Sequence, residues 1–579
     1  MSQSEGTASA VGIGRSDLQS WKRDHPANFF EADANLRDVL GLYLGERRET
    51  EVERLAAAGA AAAGVMNDLV IESNREENLP VLRRHDGIGR RAEEVVFHPT
   101  YHELGRQVWR TGVLAVLGEP GNEVLAGTLA YLLGQNGEGG HGCPVACTAG
   151  AIKLLQTAGT GEQKDCFLPA LISDNYDRRL HASQFITEVQ GGSDVGPNDM
   201  VATPCAELPG RYRLTGEKWF CSVADAGLFV ASARPERAAE GTRGLGLFLV
   251  PRLLGGEVNG FSLRRLKGKI GTRSMATGEM DFAGALAEPI GRLEDGFKNL
   301  VSIVLDTSRV FNAISACGIM RRAYLEAQAF AGRRVAFGSP IAAFPGVSRT
   351  LAEMKMELHA AVATTFRLLA LSDRIARGNG NDDMVAARRI HVMINKYCTA
   401  IRSSEVARDG IEILGGNGTV EEFSVLPRLY RDAIVVESWE GSHNTLCAQV
   451  LRDFSQRQMA EPWLWEVRET VEAIEGRELS DDKEVARRSL AAVSGAIEQM
   501  LGASSVEQAS FLIRPVVDRM CQVNSFVSLL QELSWQQRSG LDAEDKARSV
   551  KRYRMSYLDC VDPADLRYLE LNRGLSAAR

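Results

Sequence analysis

The 579-residue sequence predicts an α+β, mostly α fold: an N-terminal helical domain, a middle β-barrel-like domain, a C-terminal helical bundle and an extra helical C-terminal domain. Three observations carry that expectation. Long stretches on both sides of the centre place apolar residues at helical spacing. The centre itself switches to short β-branched and aromatic runs broken by Gly, Pro and Asn. The length is several times what one hydrophobic core needs, so several domains are expected.

Residues 1–180 read as the first helical domain: Glu51 to Leu55 lead into an alanine-rich run, and His102–Leu117 and Asn122–Leu133 keep helical periodicity. Strand signals are scarce there. Residues 181–293 read as a compact β-domain, clearest at Tyr212-Arg213-Leu214-Thr215 and Leu245 to Val250. Helical spacing returns over 294–455 through Val347–Ser372 and Met384–Leu414, separated by the loop Arg377-Gly378-Asn379-Gly380-Asn381. Residues 456–579 are helical again, most clearly at Ser489–Leu501 and Ala509–Leu533. Helical layers on either side of a β insert make the cleft between unlike layers the natural place for a ligand.

Composition excludes some classes. The 44% hydrophobic and 25% charged residues are near globular averages, and no apolar run approaches the roughly 18 residues that span a bilayer. No membrane segment is expected. Met1-Ser2-Gln3-Ser4-Glu5-Gly6 lacks the basic-then-apolar pattern of a secretory signal, so a cytoplasmic location is expected. The ten cysteines include no C-x-x-C pair and read as free thiols. His141, Cys143 and Cys147 cluster without a fourth ligand, so no metal site is expected and the thiols read as small apolar groups.

The net charge of −8 offers no global attraction for nucleic acid. Residues 456–579 hold 17 Lys+Arg against 20 Asp+Glu, where a phosphate-binding domain would be basic. Their one basic cluster, Lys546, Arg548, Lys551, Arg552 and Arg554, reads as a solvated helix face.

Chemistry-bearing motifs follow the same order. The turn Ile186 to Val195 carries Thr187, Gly191, Gly192 and Ser193, and such a turn can bring backbone N–H groups close to a phosphate. By composition alone it is an ordinary connection. Leu214 to Ser222 is a strand-like run with adjacent Trp219 and Phe220 before the Ser222 hydroxyl. Further on come Asp306-Thr307-Ser308-Arg309, Arg333-Arg334-Val335-Ala336-Phe337-Gly338 and Leu414-Gly415-Gly416-Asn417-Gly418-Thr419. Arg428 to Ala433 then leads to Glu437-Ser438-Trp439-Glu440-Gly441-Ser442, with Arg452 in the next helix. Taken alone, Glu440 is a glutamate before a helix that Gly-Ser opens.

In this order and spacing, the stretch from about Leu79 to Phe454 resembles the acyl-CoA dehydrogenase superfamily, closest to its AidB branch. Pointers to that branch are Gln190-Gly191-Gly192, Lys218-Trp219-Phe220, Pro345, Trp439-Glu440-Gly441-Ser442 and the extra C-terminal block. The resemblance implies FAD. It puts Phe220 against the isoalloxazine ring, Thr187 and Ser222 at its polar edge, and Gly192, Ser193 and Ser442 among the cofactor contacts. Arg334, Phe337, Gly415 and Gly416 would reach the FAD of a neighbouring subunit, which implies a homotetramer.

The resemblance further implies that Glu440 removes a proton next to a thioester carbonyl, that Arg452 helps position its loop, and that Asp306, Arg309 and Trp439 line the acyl-CoA site. Electrons would pass to an electron-transfer flavoprotein or to oxygen. The alternatives it carries are nucleic-acid association through the C-terminal domain and flavin oxidase or oxygenase chemistry. His443 is expected at the surface.

Overall fold

The computed structural model describes residues 20–577 together with 15 and 18, so the reading of Met1 to Gly6 lies outside the described residues. Helices dominate the N-terminal part, from Ala34–Leu44 to Gly161–Leu171. Two local expectations are corrected there. A short antiparallel hairpin, Val81–His85 with Arg91–Val96, interrupts the helices. The first of its strands is largely exposed and carries Arg83, Arg84 and His85, so it lacks the apolar alternation that announces a strand. The expected helix His102–Leu117 ends at Arg110, because Gly112 adopts a left-handed φ of 78° that no α-helix continues.

The middle domain is a seven-stranded sheet whose long strand Thr277–Pro289 pairs with Tyr212–Ser222, Phe261–Leu266 and Gly246–Pro251. The register opposite Ser222 is Thr277, and Met280 lies opposite Lys218. Lys218 is buried and its Nζ donates to Glu188 Oε1 at 2.7 Å, to the Ile186 carbonyl at 3.2 Å and to Ser232 Oγ at 3.2 Å. A buried ammonium needs such partners. Here they clamp the 186–193 turn onto the strand that carries Phe220.

Three long helices form the bundle: Asp306–Arg333, Pro345–Arg374 and Asp382–Leu414. Pro345 sits at the start of the second, where its missing N–H costs nothing. The reversal before the third falls in the expected loop, with Gly378 at φ 77° and the Asn381 side chain accepting from Met384 N at 2.9 Å. The stretch Leu293–Arg333 is long and apolar enough to cross a membrane by composition, against the sequence expectation, and 78% of that apolar window is buried inside the protein. It is the bundle's central helix.

Four further helices, Ala460–Glu472, Ser480–Leu501, Val506–Arg538 and Glu544–Tyr553, share a core with the bundle through residues such as Ile390, Val450, Trp463 and Phe526, and a fifth, Arg567–Ala577, packs Tyr568, Leu571 and Leu575 in a smaller cluster with Ala352 of the bundle. The basic cluster there is not a solvated face. Lys546 is buried against Glu532, and Arg552 is buried, donating to Asn572 Oδ1 at 2.9 Å and Glu353 Oε1 at 2.7 Å. Arg554 bonds Asp482 at 2.8 Å and Asp559 at 2.9 Å, and Arg548 pairs with Glu544. Lys551 alone of the five is exposed.

Candidate active site

The helix Leu426–Ser438 ends at Trp439, and the next helix, His443–Arg457, begins four residues later. Such a short link redirects the chain through two consecutive left-handed residues, Glu440 at φ 58° and Gly441 at φ 106°. Glycine tolerates this freely; for glutamate it costs about 1–2 kcal/mol. Strain of that size persists only where the surroundings over-determine it.

The surroundings do so with buried donors. The last carbonyls of a helix have no partner within it, and cations favour that end. Asn312 Nδ2 donates to the Val436 carbonyl at 3.0 Å. Lys396 Nζ donates to the carbonyls of Glu437 at 3.0 Å and Gly441 at 2.8 Å, and Arg309 Nε donates to the carbonyl of Glu440 at 2.9 Å. Arg309 is 2% exposed and Lys396 is fully buried. Asp306 lies behind Arg309 at 3.6 Å, so this pair is interior rather than on the surface. Arg452 lines the cleft and approaches Asp453 at 4.0 Å, while the bonds that hold the loop come from Arg309, Lys396 and Asn312.

Glu440 lines two spaces. One is a narrow apolar cavity with about 80 Å³ of free space, walled by side chains such as Val70, Leu104, Leu133, Val145 and Phe311. A single water needs roughly 10–15 Å³ by the same kind of measure, so a slender chain fits there. The other is a cleft of about 700 Å³ between the sheet and the bundle. Trp439 also lines both.

Part of the Glu440 side chain opens onto these spaces, yet its Oε2 is buried without a hydrogen-bond partner. Burial pushes the carboxyl above the ordinary carboxylate range, and Arg309 and Lys396 pull it back. A carboxylate raised towards neutral pH is suited to taking a proton. His443, one turn on, is half-buried against the Tyr397 ring and 3.5 Å from Glu437, and burial takes its pKa down to about 4. It is neutral at working pH.

The cleft gathers Thr187, Gly192, Ser193, Phe220, Ser222 and Ser442. Phe220 presents half its surface there, a flat apolar face on a strand whose neighbours Lys218 and Cys221 are buried. Ser193 Oγ accepts from Thr445 Oγ1 at 3.2 Å, and Ser222 Oγ lies 3.4 Å from Thr277 Oγ1, so both hydroxyls retain capacity for a ligand. This donor set and room fit a flavin. Asp432, from the Arg-Asp pair ahead of Glu440, is buried and accepts from Thr272 N at 2.7 Å and Glu138 N at 3.1 Å, tying the Leu426–Ser438 helix to the walls of both spaces.

Arg334, Phe337, Gly415 and Gly416 lie outside the cleft. Arg334 precedes a two-residue hairpin turn made by Phe337 at φ 51° and Gly338 at φ 85°, which leaves the Phe337 ring 99% exposed. Gly415 and Gly416 are exposed at the end of Asp382–Leu414. Lys396 and Glu138 are site residues the motif reading did not select. A lysine inside the apolar run Met393-Ile394-Asn395-Lys396-Tyr397 was a usable signal, since a buried lysine must be paired.

His141 donates through Nε2 to the Tyr101 carbonyl at 2.8 Å, and Cys143 and Cys147 stand 3.7 Å apart, S to S, on one helix face. Among the described residues no group of three or more His, Cys, Asp or Glu side chains could hold a metal.

Comparison with known proteins gives this geometry its context. Residues 294–454 match the acyl-CoA dehydrogenase C-terminal domain, 183–285 its middle domain, and 22–178 the Adaptive response protein AidB N-terminal domain. Acyl-CoA dehydrogenase family member 11 of Caenorhabditis elegans is 31% identical over 78% of this chain and 74% of its own length. The putative acyl-CoA dehydrogenase AidB of Escherichia coli is 34% identical over 65% of this chain and 69% of its own. The crystal structure of Caenorhabditis elegans ACDH-11 in complex with C11-CoA superposes with a TM-score of 0.81 at 27% identity, covering 90% of each chain. The chain belongs to the acyl-CoA dehydrogenase family. Its N-terminal match and the E. coli relative put it among the AidB-like members.

Proposed function

We propose that the chain is an FAD-dependent oxidoreductase that introduces an α,β double bond into an acyl thioester, with Glu440 as the base. The observation that carries this reading is Glu440 itself, held in a strained conformation between an apolar cavity and a cleft whose lining suits a flavin. FAD in the cleft would supply the two-electron acceptor for the hydride leaving the β carbon. Phe220 offers the ring a face to pack on, Thr187 and Ser222 offer its polar edge hydrogen bonds, and Gly192 and Ser193 lie where the pyrophosphate would run.

The protein's own work is placement. The apolar cavity takes the acyl chain, water is excluded from around the α carbon, and the Glu440 carboxylate receives the α proton. The C11-CoA held by the C. elegans protein supports an acyl-CoA as the substrate class. Arg334 and the exposed Phe337 ring, with Gly415 and Gly416, suit contact with a second copy, which supports a homotetramer in which each FAD is completed by a neighbour. An electron-transfer flavoprotein is the acceptor this reading favours.

Glu440→Gln tests it. The variant is expected to keep the flavin's colour and lose anaerobic bleaching by acyl-CoA about 10³-fold, the scale of a general base. Undiminished bleaching removes Glu440 from the mechanism. A nucleic-acid role has little support, since Lys546, Arg552 and Arg554 are already engaged with protein carboxylates.

A further inference from the structure

We propose that Lys396 is a positioning cation of the catalytic loop, bridging the two carbonyls that bracket Glu440 and, together with Arg309, setting the pH at which Glu440 acts as a base. The inference rests on Glu440 being the base. Its geometry stands apart from that reading: one ammonium, fully buried, donates to Glu437 O at 3.0 Å and Gly441 O at 2.8 Å. The two acceptors lie three and one residues from Glu440, on opposite sides of it. A single point charge therefore ties the helix end to the far side of the left-handed turn.

The charges facing Lys396 are few. Arg309 and, behind it, Asp306 come from the Asp306–Arg333 helix, Glu437 and Glu440 from the catalytic stretch, and His443 from the helix that follows. His443 is neutral, because burial holds its pKa near 4. Burial lowers the Lys396 ammonium to about 7, with Glu440 holding it up and Arg309 pressing it down. Glu440 is thus the main counter-charge of Lys396, while Glu440 itself faces Arg309 first and Lys396 second, and coupling between two sites is reciprocal. Removing the cation must raise the Glu440 pKa, and neutralising Glu440 must lower that of Lys396 by the same free energy.

The experiment uses flavin-loaded protein and two readouts. The first is the pH profile of anaerobic flavin reduction by an acyl-CoA in wild type, Lys396→Met and Lys396→Arg. Lys396→Met is expected to move the rising limb to higher pH, so that it is about tenfold slower than wild type on the acid side and converges with it on the alkaline side. Lys396→Arg is expected to keep the limb in place, because it keeps the charge, with a lower plateau from the altered fit. The second readout needs no turnover: Nζ-linked NMR titration of lysines in wild type and Glu440→Gln, where one resonance titrating near 7 is expected in wild type and lower in the variant.

An equal loss at every pH in Lys396→Met, with no displaced limb, would make Lys396 merely structural and overturn the proposal. So would the absence of a resonance titrating near 7 that disappears in Lys396→Arg. If Lys396→Met does not fold, the NMR titration in Glu440→Gln still decides. Should Glu440→Gln bleach normally while the lysine resonance still moves, the assignment of the base fails and the coupling survives, so the two failures are distinguishable.

Discussion

Two sets of buried cations in this protein do opposite things. Around the loop that carries Glu440, Arg309 and Lys396 donate to backbone carbonyls and leave Glu440 Oε2 without a hydrogen-bond partner. In the C-terminal extension, Lys546 and Arg552 each meet a carboxylate. The first arrangement holds a loop in a costly conformation and tunes a neighbouring acid; the second cancels charge and cements helices. A local count of basic residues does not tell them apart. The partners do.

The largest effect on stability is expected where the cancelling arrangement is broken. Lys546→Met leaves Glu532 buried without its cation, and chemical denaturation should show a loss of about 3–5 kcal/mol. Retention of stability would mean that water reaches Glu532. Next comes Glu466, held at about 2 by Arg367 and His391, which outweigh the opposing cost of its burial. A depressed folded-state pKa contributes stability that is complete above the unfolded value near 4.3 and is lost as pH falls towards 2. Glu466→Gln should therefore remove about 3 kcal/mol at pH 7 and flatten the decline of stability with acid between roughly pH 4.5 and 2.

Smaller still, Gly441→Ala adds a Cβ at φ 106°, within 3.3 Å of Leu446 Cδ2 and 3.5 Å of Arg309 Nη2. A cost of about 1–2 kcal/mol is expected, together with a displaced Glu440 and slower bleaching. The smallest effect belongs to Arg548→Ala, whose exposed partner Glu544 makes the pair worth less than about 0.5 kcal/mol. An effect as large as that of Lys546→Met would erase the distinction drawn between the buried and surface members of this cluster.

Legibility from the sequence followed the length scale of the interactions. The 440 loop could be read because Trp439 to Ser442 is contiguous, and the switch to β texture after residue 181 could be read because pleat and helix periods differ. The Val81–His85 hairpin escaped notice because its strands are short and polar. Lys396 escaped because its acceptors lie 41 and 45 positions away, and Arg552 was misread because Glu353 lies 199 positions away. A motif records neighbours along the chain, whereas a buried charge is defined by neighbours across it.

The central claim is that the carboxylate at position 440 takes the α proton of a thioester bound in the apolar cavity. Its most direct test is hydrogen exchange in D₂O with an acyl-CoA whose β carbon cannot be oxidised, read by mass spectrometry of the recovered thioester. Wild type should catalyse deuterium entry at the α carbon, faster as pH rises through the raised pKa of Glu440, and Glu440→Gln should not. Equal exchange by the two proteins would contradict the account.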